Sequence, residues 1–353
     1  MFKNRRFFLL TLLVLLSFVS AKRHVNTDWR HMDIFGGYQF RLTQLFSGME
    51  GTSAGLTDSD VPNSADGMIT TSSALSLLAP QEEPKKLLAP LRDQASSELE
   101  SQLRLVISSN AEWARLISQR RMAIGLVDLS VPGEVRYASL NGRHMMYAAS
   151  LPKIAVLAAA LDAIERGELE STEEVRQDLR LMIARSNNAA TTRTIDRIGF
   201  EAIERTMTDE EHQLYDPEFG GGLWVGKRYA AGGRRVPDPL RGISHAATAE
   251  QVCRFYYLLT NNALVSPEAS SEMRSYLVDP QLHHKFVNTL DEVAPNAQVY
   301  RKSGSWRNFH ADSALVQGAE RNYIMVALIE DENGEQHCRE IARVLDELMM
   351  GGV

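Results

Sequence analysis

The chain has 353 residues, 44% hydrophobic and 24% charged, with a formal net charge of −7. Such a length can bury one large core or two small ones, while the acidic balance, with no basic run beyond the N-terminus, argues against nucleic acid as a partner. Two cysteines, Cys253 and Cys338, and no CxxC spacing give no basis for a disulfide framework or a structural zinc site.

Lys3, Arg5 and Arg6 precede an apolar run from Phe7 to Val19, and Val19-Ser20-Ala21 offers the small residues of a cleavage site. The run is short for a membrane span and suits a secretory signal, so residues 1–21 are expected to be a signal peptide, with an uncleaved anchor as the alternative. The mature protein is then exported, to a periplasm or the outside, with no membrane contact beyond that signal. Residues 22–95 carry scattered aromatics between Trp29 and Phe46 and then a stretch rich in Ser, Gly, Thr, Asp and Pro. That is the composition of a low-complexity tether, expected to be largely disordered.

Residues 96–353 read as one folded domain. Leu99, Leu103, Val106, Trp113 and Ile117 recur at helical spacing, and Ser97 with Glu100 suggests a capping box. Met122–Asp128 is an apolar strand, 131–134 a turn, and Val135–Ser139 an alternating second strand. An apolar helix follows to about Arg166-Gly167, where glycine suits the C-terminal cap. Further helices are expected at 173–184, 187–198, 200–207, 249–259 and from Ser266 to about Leu277. Between them, Tyr215 to Ser244 is dense in Gly, Arg and Pro, and an irregular stretch of that length in a compact domain usually carries function. Strands at 298–304, 312–316 and 323–329 and an amphipathic helix at 335–349 close the chain. Cys253 and Cys338 fall in apolar helical stretches and read as buried free thiols, with a single bridge as the alternative. The order predicts an α+β fold, an antiparallel sheet backed by N- and C-terminal helices plus an all-helical lobe.

Three stretches carry chemistry. In Ser150-Leu151-Pro152-Lys153 a hydroxyl and an amine stand three residues apart at the head of an apolar helix, on one face and within mutual reach. A neutral amine there can take the hydroxyl proton, and the positive helix end favours the charge left on oxygen. Ser186-Asn187-Asn188 opens a second helix, and Lys302-Ser303-Gly304 lies on the first C-terminal strand. With these motifs in this order, residues 96–353 resemble the penicillin-recognising serine hydrolases, class A β-lactamases in particular, whose motifs are Ser-x-x-Lys, Ser-Asp-Asn and Lys-Thr-Gly.

The resemblance implies that Ser150 is the nucleophile, Lys153 its general base with a lowered pKa, and Ser186 a proton donor to the leaving nitrogen. It implies that Asn188 binds the substrate amide, that Lys302 and Ser303 hold its carboxylate, and that the N–H groups of Ser150 and Ser305 form the oxyanion hole. The implied activity is hydrolysis of an amide substrate, a β-lactam first. A penicillin-binding or D-alanyl peptidase relative acting on a peptidoglycan peptide, an amidase or glutaminase, and a β-lactam sensor without turnover are the alternatives. No metal or cofactor is implied.

The chain departs from that pattern in places. Asn187 replaces Asp, Ser303 replaces Thr, and the interval from Ser150 to Ser186 is short, so the helical lobe is trimmed. The Glu-x-x-Leu-Asn pattern of the deacylating glutamate is missing, and Glu218 is the nearest candidate to activate water. Gly221 to Lys227 mimics a phosphate loop, but Arg228 stands where a Ser or Thr must bind Mg²⁺. Trp224 there reads either as a wall of the cleft or as the packing centre of its own loop. His283-His284 reads as surface, and His310 with Asp312 suggests a Ser-His-Asp arrangement that Lys153 makes unnecessary.

Overall fold

The computed structural model describes residues 87–351. The expected signal peptide, and the tether up to residue 86, lie outside the described residues. Order begins before Ser96: Leu91, in a single 3-10 turn, is buried, and Ala95 bridges to Tyr137. The helical pattern that follows divides into α1 (Ser97–Ser108) and α2 (Ala111–Ser118), because Asn110 starts a new helix by accepting the N–H groups of Glu112 and Trp113. The cap of α1 is Ser96 rather than Ser97, its Oγ accepting the Leu99 N–H.

Strands β1 (Met122–Asp128) and β2 (Arg136–Leu140) lead to the short β3 (Met146–Tyr147). The helical lobe holds α3 (Lys153–Glu165), α4 (Glu173–Ala184) and α5 (Asn188–Thr208). Gly199, at φ 79°, breaks α5 into the two helices the sequence suggested. The irregular stretch contains three short strands, β4 (Tyr215–Asp216), β5 (Gly221–Gly222) and β6 (Trp224–Val225), and β7 (His245–Ala247) follows directly after it. Strand β7 pairs with both β3 and β6, which ties this stretch to the segment just before Ser150. Helices α6 (Ala249–Thr260), α7 (Pro267–Leu277) and α8 (Phe286–Val293) follow, α8 being a helix that the sequence did not suggest. The chain ends in β8 (Gln298–Trp306), β9 (Phe309–Gln317), β10 (Asn322–Glu330) and α9 (Gly334–Met349).

The main sheet has the order β2-β1-β10-β9-β8 and is antiparallel throughout. Every residue of β1 is buried, so the strand is apolar on both faces instead of alternating. Ala123 and Val127 face a core shared with α3 and α6, while Ile124 and Leu126 face a second core shared with α1, α8 and α9. Helix α3 is buried from Lys153 to Ala163, as expected of a helix that is apolar all round. Cys253 and Cys338 are free and buried, one in each core.

Strand β8 forms one edge of the sheet and carries Lys302 to Ser305. A buried ion pair fixes it from beneath. Arg301 donates through Nε and a terminal nitrogen to the two oxygens of Asp312 on β9, both at 2.7 Å, and also to the carbonyls of Leu282 and His284. Asp312 in turn accepts the Phe286 N–H, so the pair binds the segment before α8 to the strand. It also takes Asp312 out of any charge relay with a serine. Replacing Arg301 by Met leaves the Asp312 carboxylate buried without its counter-ion and should cost about 3–5 kcal/mol of stability in urea unfolding; a loss below about 1 kcal/mol would contradict this role.

Candidate active site

Ser150 lies in the turn before α3, half-buried, and Lys153 is the first residue of the helix. Ala149 adopts φ +52°, a left-handed conformation that costs a non-glycine residue of order 1 kcal/mol and turns the chain sharply into the serine. Among the described residues the Ser150 N–H has no backbone acceptor. It is free to bind a ligand oxygen.

The Lys153 side chain is wholly buried, and its Nζ donates to the Ser186 carbonyl at 2.6 Å and to Asn188 Oδ1 at 2.7 Å. A longer contact of 3.3 Å reaches Ser186 Oγ, and the Tyr229 ring closes over the amine at 4.6 Å. Ser186 has φ +52°, which directs its carbonyl towards the amine. No carboxylate forms an ion pair with Lys153 among the described residues, and burial draws its pKa down to about 7. Two short bonds to acceptors suit a neutral amine, leaving its lone pair for a hydroxyl proton. No hydrogen bond joins Lys153 to Ser150 Oγ among the described residues, so in this state the amine is turned to Ser186 and Asn188. Asn187, which departs from the motif, caps α5 by accepting the Ala190 N–H at 2.9 Å, work that Asp or Asn does equally well.

The third stretch closes the site from the sheet. Lys302 Nζ donates to Ser186 Oγ at 2.9 Å and to the Ser303 carbonyl at 2.8 Å, and burial holds its pKa well below the ordinary lysine value. Ser186 Oγ thus lies between two lysines, accepting from Lys302 with its own proton free. Gly304 is where the strand meets the Ser150 turn. A Cβ there would stand 2.2 Å from the Ala148 carbonyl and 2.7 Å from the Ser150 and Leu151 nitrogens. Ser305 pairs with His310 one step inside the hairpin's closing pair, Trp306 and Phe309. In a two-residue hairpin the closing pair is hydrogen-bonded and the next is not, so the Ser305 N–H points off the sheet edge.

Ser150, Lys153, Ser186, Asn188, Lys302, Ser303 and Ser305 therefore lie on three segments joined by these contacts. The structure adds residues that the sequence did not single out. Tyr229 donates its hydroxyl to the Ala149 carbonyl at 3.1 Å and stacks on His245, which burial holds at a pKa of about 4 and therefore neutral. His284 is not a plain surface residue: its Nε2 lies 3.4 Å from Ser303 Oγ, and burial lowers its pKa to about 4. Only His283 is exposed, paired with Asp291. Lys285 is buried beneath Ser305.

Other sequence candidates fall elsewhere. Glu218 is exposed, its N–H is bonded to Asp216, no hydrogen bond or ion pair joins it to Ser150, Lys153 or Ser186 among the described residues, and it sits beside Phe219, which Arg92 covers. Trp224 is buried, its indole N–H bonded to the Val236 carbonyl at 2.8 Å, so it packs its own loop and offers no wall to a ligand. Lysines, serines and an asparagine make a poor metal ligand set, and neither acidic cluster with a histidine among the described residues includes any of them.

The profile of the β-lactamase enzyme family matches residues 108–348. The chain belongs to that family. Among solved structures, the β-lactamase from Sphaerobacter thermophilus superposes with a TM-score of 0.54 at 16% identity, covering 72% of this chain and 98% of that one. PBP-A gives the same TM-score and identity over 75% of this chain and 100% of its own, and an ancestral class A β-lactamase gives 0.53 at 16% over 71% and 99%. At such identities these neighbours establish the fold: this is a β-lactamase-like serine hydrolase fold. No curated protein matches the chain.

Because the atoms facing Gly304 are backbone, a Gly304→Ala chain must part β8 from the Ser150 turn. The substitution should cost about 1–3 kcal/mol and abolish covalent labelling at Ser150. Full labelling by the variant would show that the close approach is not needed.

Proposed function

We propose that the chain is an exported serine hydrolase acylated at Ser150 by an amide substrate, a β-lactam or a peptide, and that it releases the acyl group slowly. The observation that carries the reading is Lys153: a buried amine with a pKa of about 7 and, among the described residues, no carboxylate partner. Ser150 Oγ attacks the carbonyl and gives its proton to Lys153, while the carbonyl oxygen takes the electron pair between the N–H groups of Ser150 and Ser305. Collapse breaks the C–N bond, with Ser186 passing a proton to the leaving nitrogen and recovering one from Lys153. Lys302 favours an anionic group on the substrate, and Asn188 binds its amide.

Hydrolysis of the acyl-enzyme needs a base for water. Glu218 is exposed and unconnected to the site, and the Lys153 amine is roofed by the Tyr229 ring rather than a carboxylate. This favours a penicillin-binding behaviour over rapid β-lactam turnover, and one solved neighbour, a PBP-A variant, was captured as an acyl-enzyme with penicillin G.

Intact mass after mixing with benzylpenicillin tests the reading. It predicts an adduct on Ser150 that persists over many minutes, is absent from Ser150→Ala and forms at least about 100-fold more slowly in Lys153→Met. An adduct that clears within seconds with stoichiometric excess of hydrolysed drug would refute slow release, and no adduct would refute the β-lactam substrate. The pH dependence has a defined sign. Protonated Lys153 is inert as a base, so the acylation rate should rise tenfold per pH unit below about 7 and level above it. A profile still rising steeply to pH 9 would assign the proton to another group.

A further inference from the structure

Lys285 is fully buried, sits at φ +56° immediately before α8, and is used by nothing in the mechanism above. Its Nζ donates to the Gly304 carbonyl at 2.5 Å, to Ser305 Oγ at 2.8 Å and to the Ala311 carbonyl at 3.2 Å. The two carbonyls can only accept, so the nitrogen donates to both of them, and the shorter bond is the one to Gly304. The nearby charge is balanced locally: Asp312 binds the Phe286 N–H next along the chain and is itself paired with Arg301.

The Gly304 carbonyl belongs to the same peptide unit as the Ser305 N–H. A hydrogen-bond donor on the oxygen end of an amide draws electron density from its nitrogen, which makes the N–H a stronger donor. That N–H points off the edge of β8 towards the Ser150 turn. The same nitrogen lies 2.8 Å from Ser305 Oγ, which anchors that side chain beneath the strand.

We propose that Lys285 is a positioning residue for acylation, polarising the Gly304–Ser305 peptide from beneath so that the Ser305 N–H binds a developing oxyanion strongly. The inference rests on the acylation proposed above. It acts through the peptide, since the amine is fully buried behind the Gly304 carbonyl.

The test compares the wild-type chain with Lys285→Met and with Lys285→Gln, whose shorter side chain withdraws the donor from the Gly304 carbonyl, after thermal unfolding has shown which variants fold. Benzylpenicillin acylation should slow about tenfold or more in both, and the ester carbonyl band of the acyl-enzyme should move to higher wavenumber in the infrared, a shift that mere loosening of the fold does not produce. In the free proteins the Ser305 amide nitrogen resonance should move upfield. Folded variants with wild-type acylation rate, ester band and Ser305 resonance would overturn the proposal. If the wild-type chain forms no adduct, the acylation reading fails on its own, and an unchanged Ser305 resonance then overturns the polarisation of this peptide independently.

Discussion

The structure depends on keeping an amine out of water without giving it a counter-charge. Lys153 is enclosed by oxygens that are dipoles rather than ions, the Ser186 carbonyl and the Asn188 amide, and capped by an aromatic ring. An ion pair with a carboxylate would keep the amine charged and useless as a base at neutral pH. Dipoles orient it while burial removes the incentive to hold a proton. The apolar, wholly buried α3 supplies the burial, and the left-handed residues Ala149 and Ser186 supply the aim.

Strand β8 is the second requirement, and buried basic side chains crowd around it. Arg301, Lys302 and, beneath the same strand, Lys285 are all enclosed within a few residues. Each has a different answer to its desolvation. Arg301 has the Asp312 carboxylate, Lys285 has three neutral oxygens, and Lys302 has Ser186 Oγ and a carbonyl. The result is an edge strand held against the Ser150 turn at Gly304, with the Lys302 amine placed on Ser186 Oγ.

Much of this was legible in the residues. The three motifs, the strand pairs and most helix limits follow from apolar period, caps and turns, because those signals are local. What escaped was long-range. His284 and Lys285 precede a helix of eight residues whose apolar positions are too few to show a period, so the segment read as loop and His284 as surface. Tyr229 lies in a Gly- and Arg-rich stretch with no period at all, and only the pairing of β7 with β3 and β6 brings it over Lys153. Trp224 drew attention as an aromatic in a glycine-rich loop, yet burial of its ring and the bond to Val236 make it that loop's core. The absence of a Glu-x-x-Leu-Asn pattern was the informative negative in the sequence, and the uncharged surroundings of Lys153 give it a physical meaning.

The most direct measurement is the titration of Lys153 itself, followed by nuclear magnetic resonance of lysine labelled at Cε and assigned with Lys153→Met. The account predicts a midpoint near 7 in the free protein, several units below an exposed lysine. A Lys153 that stays protonated to about pH 10 would contradict it, and would mean that the amine orients the site as a cation and that the proton of Ser150 leaves by another route.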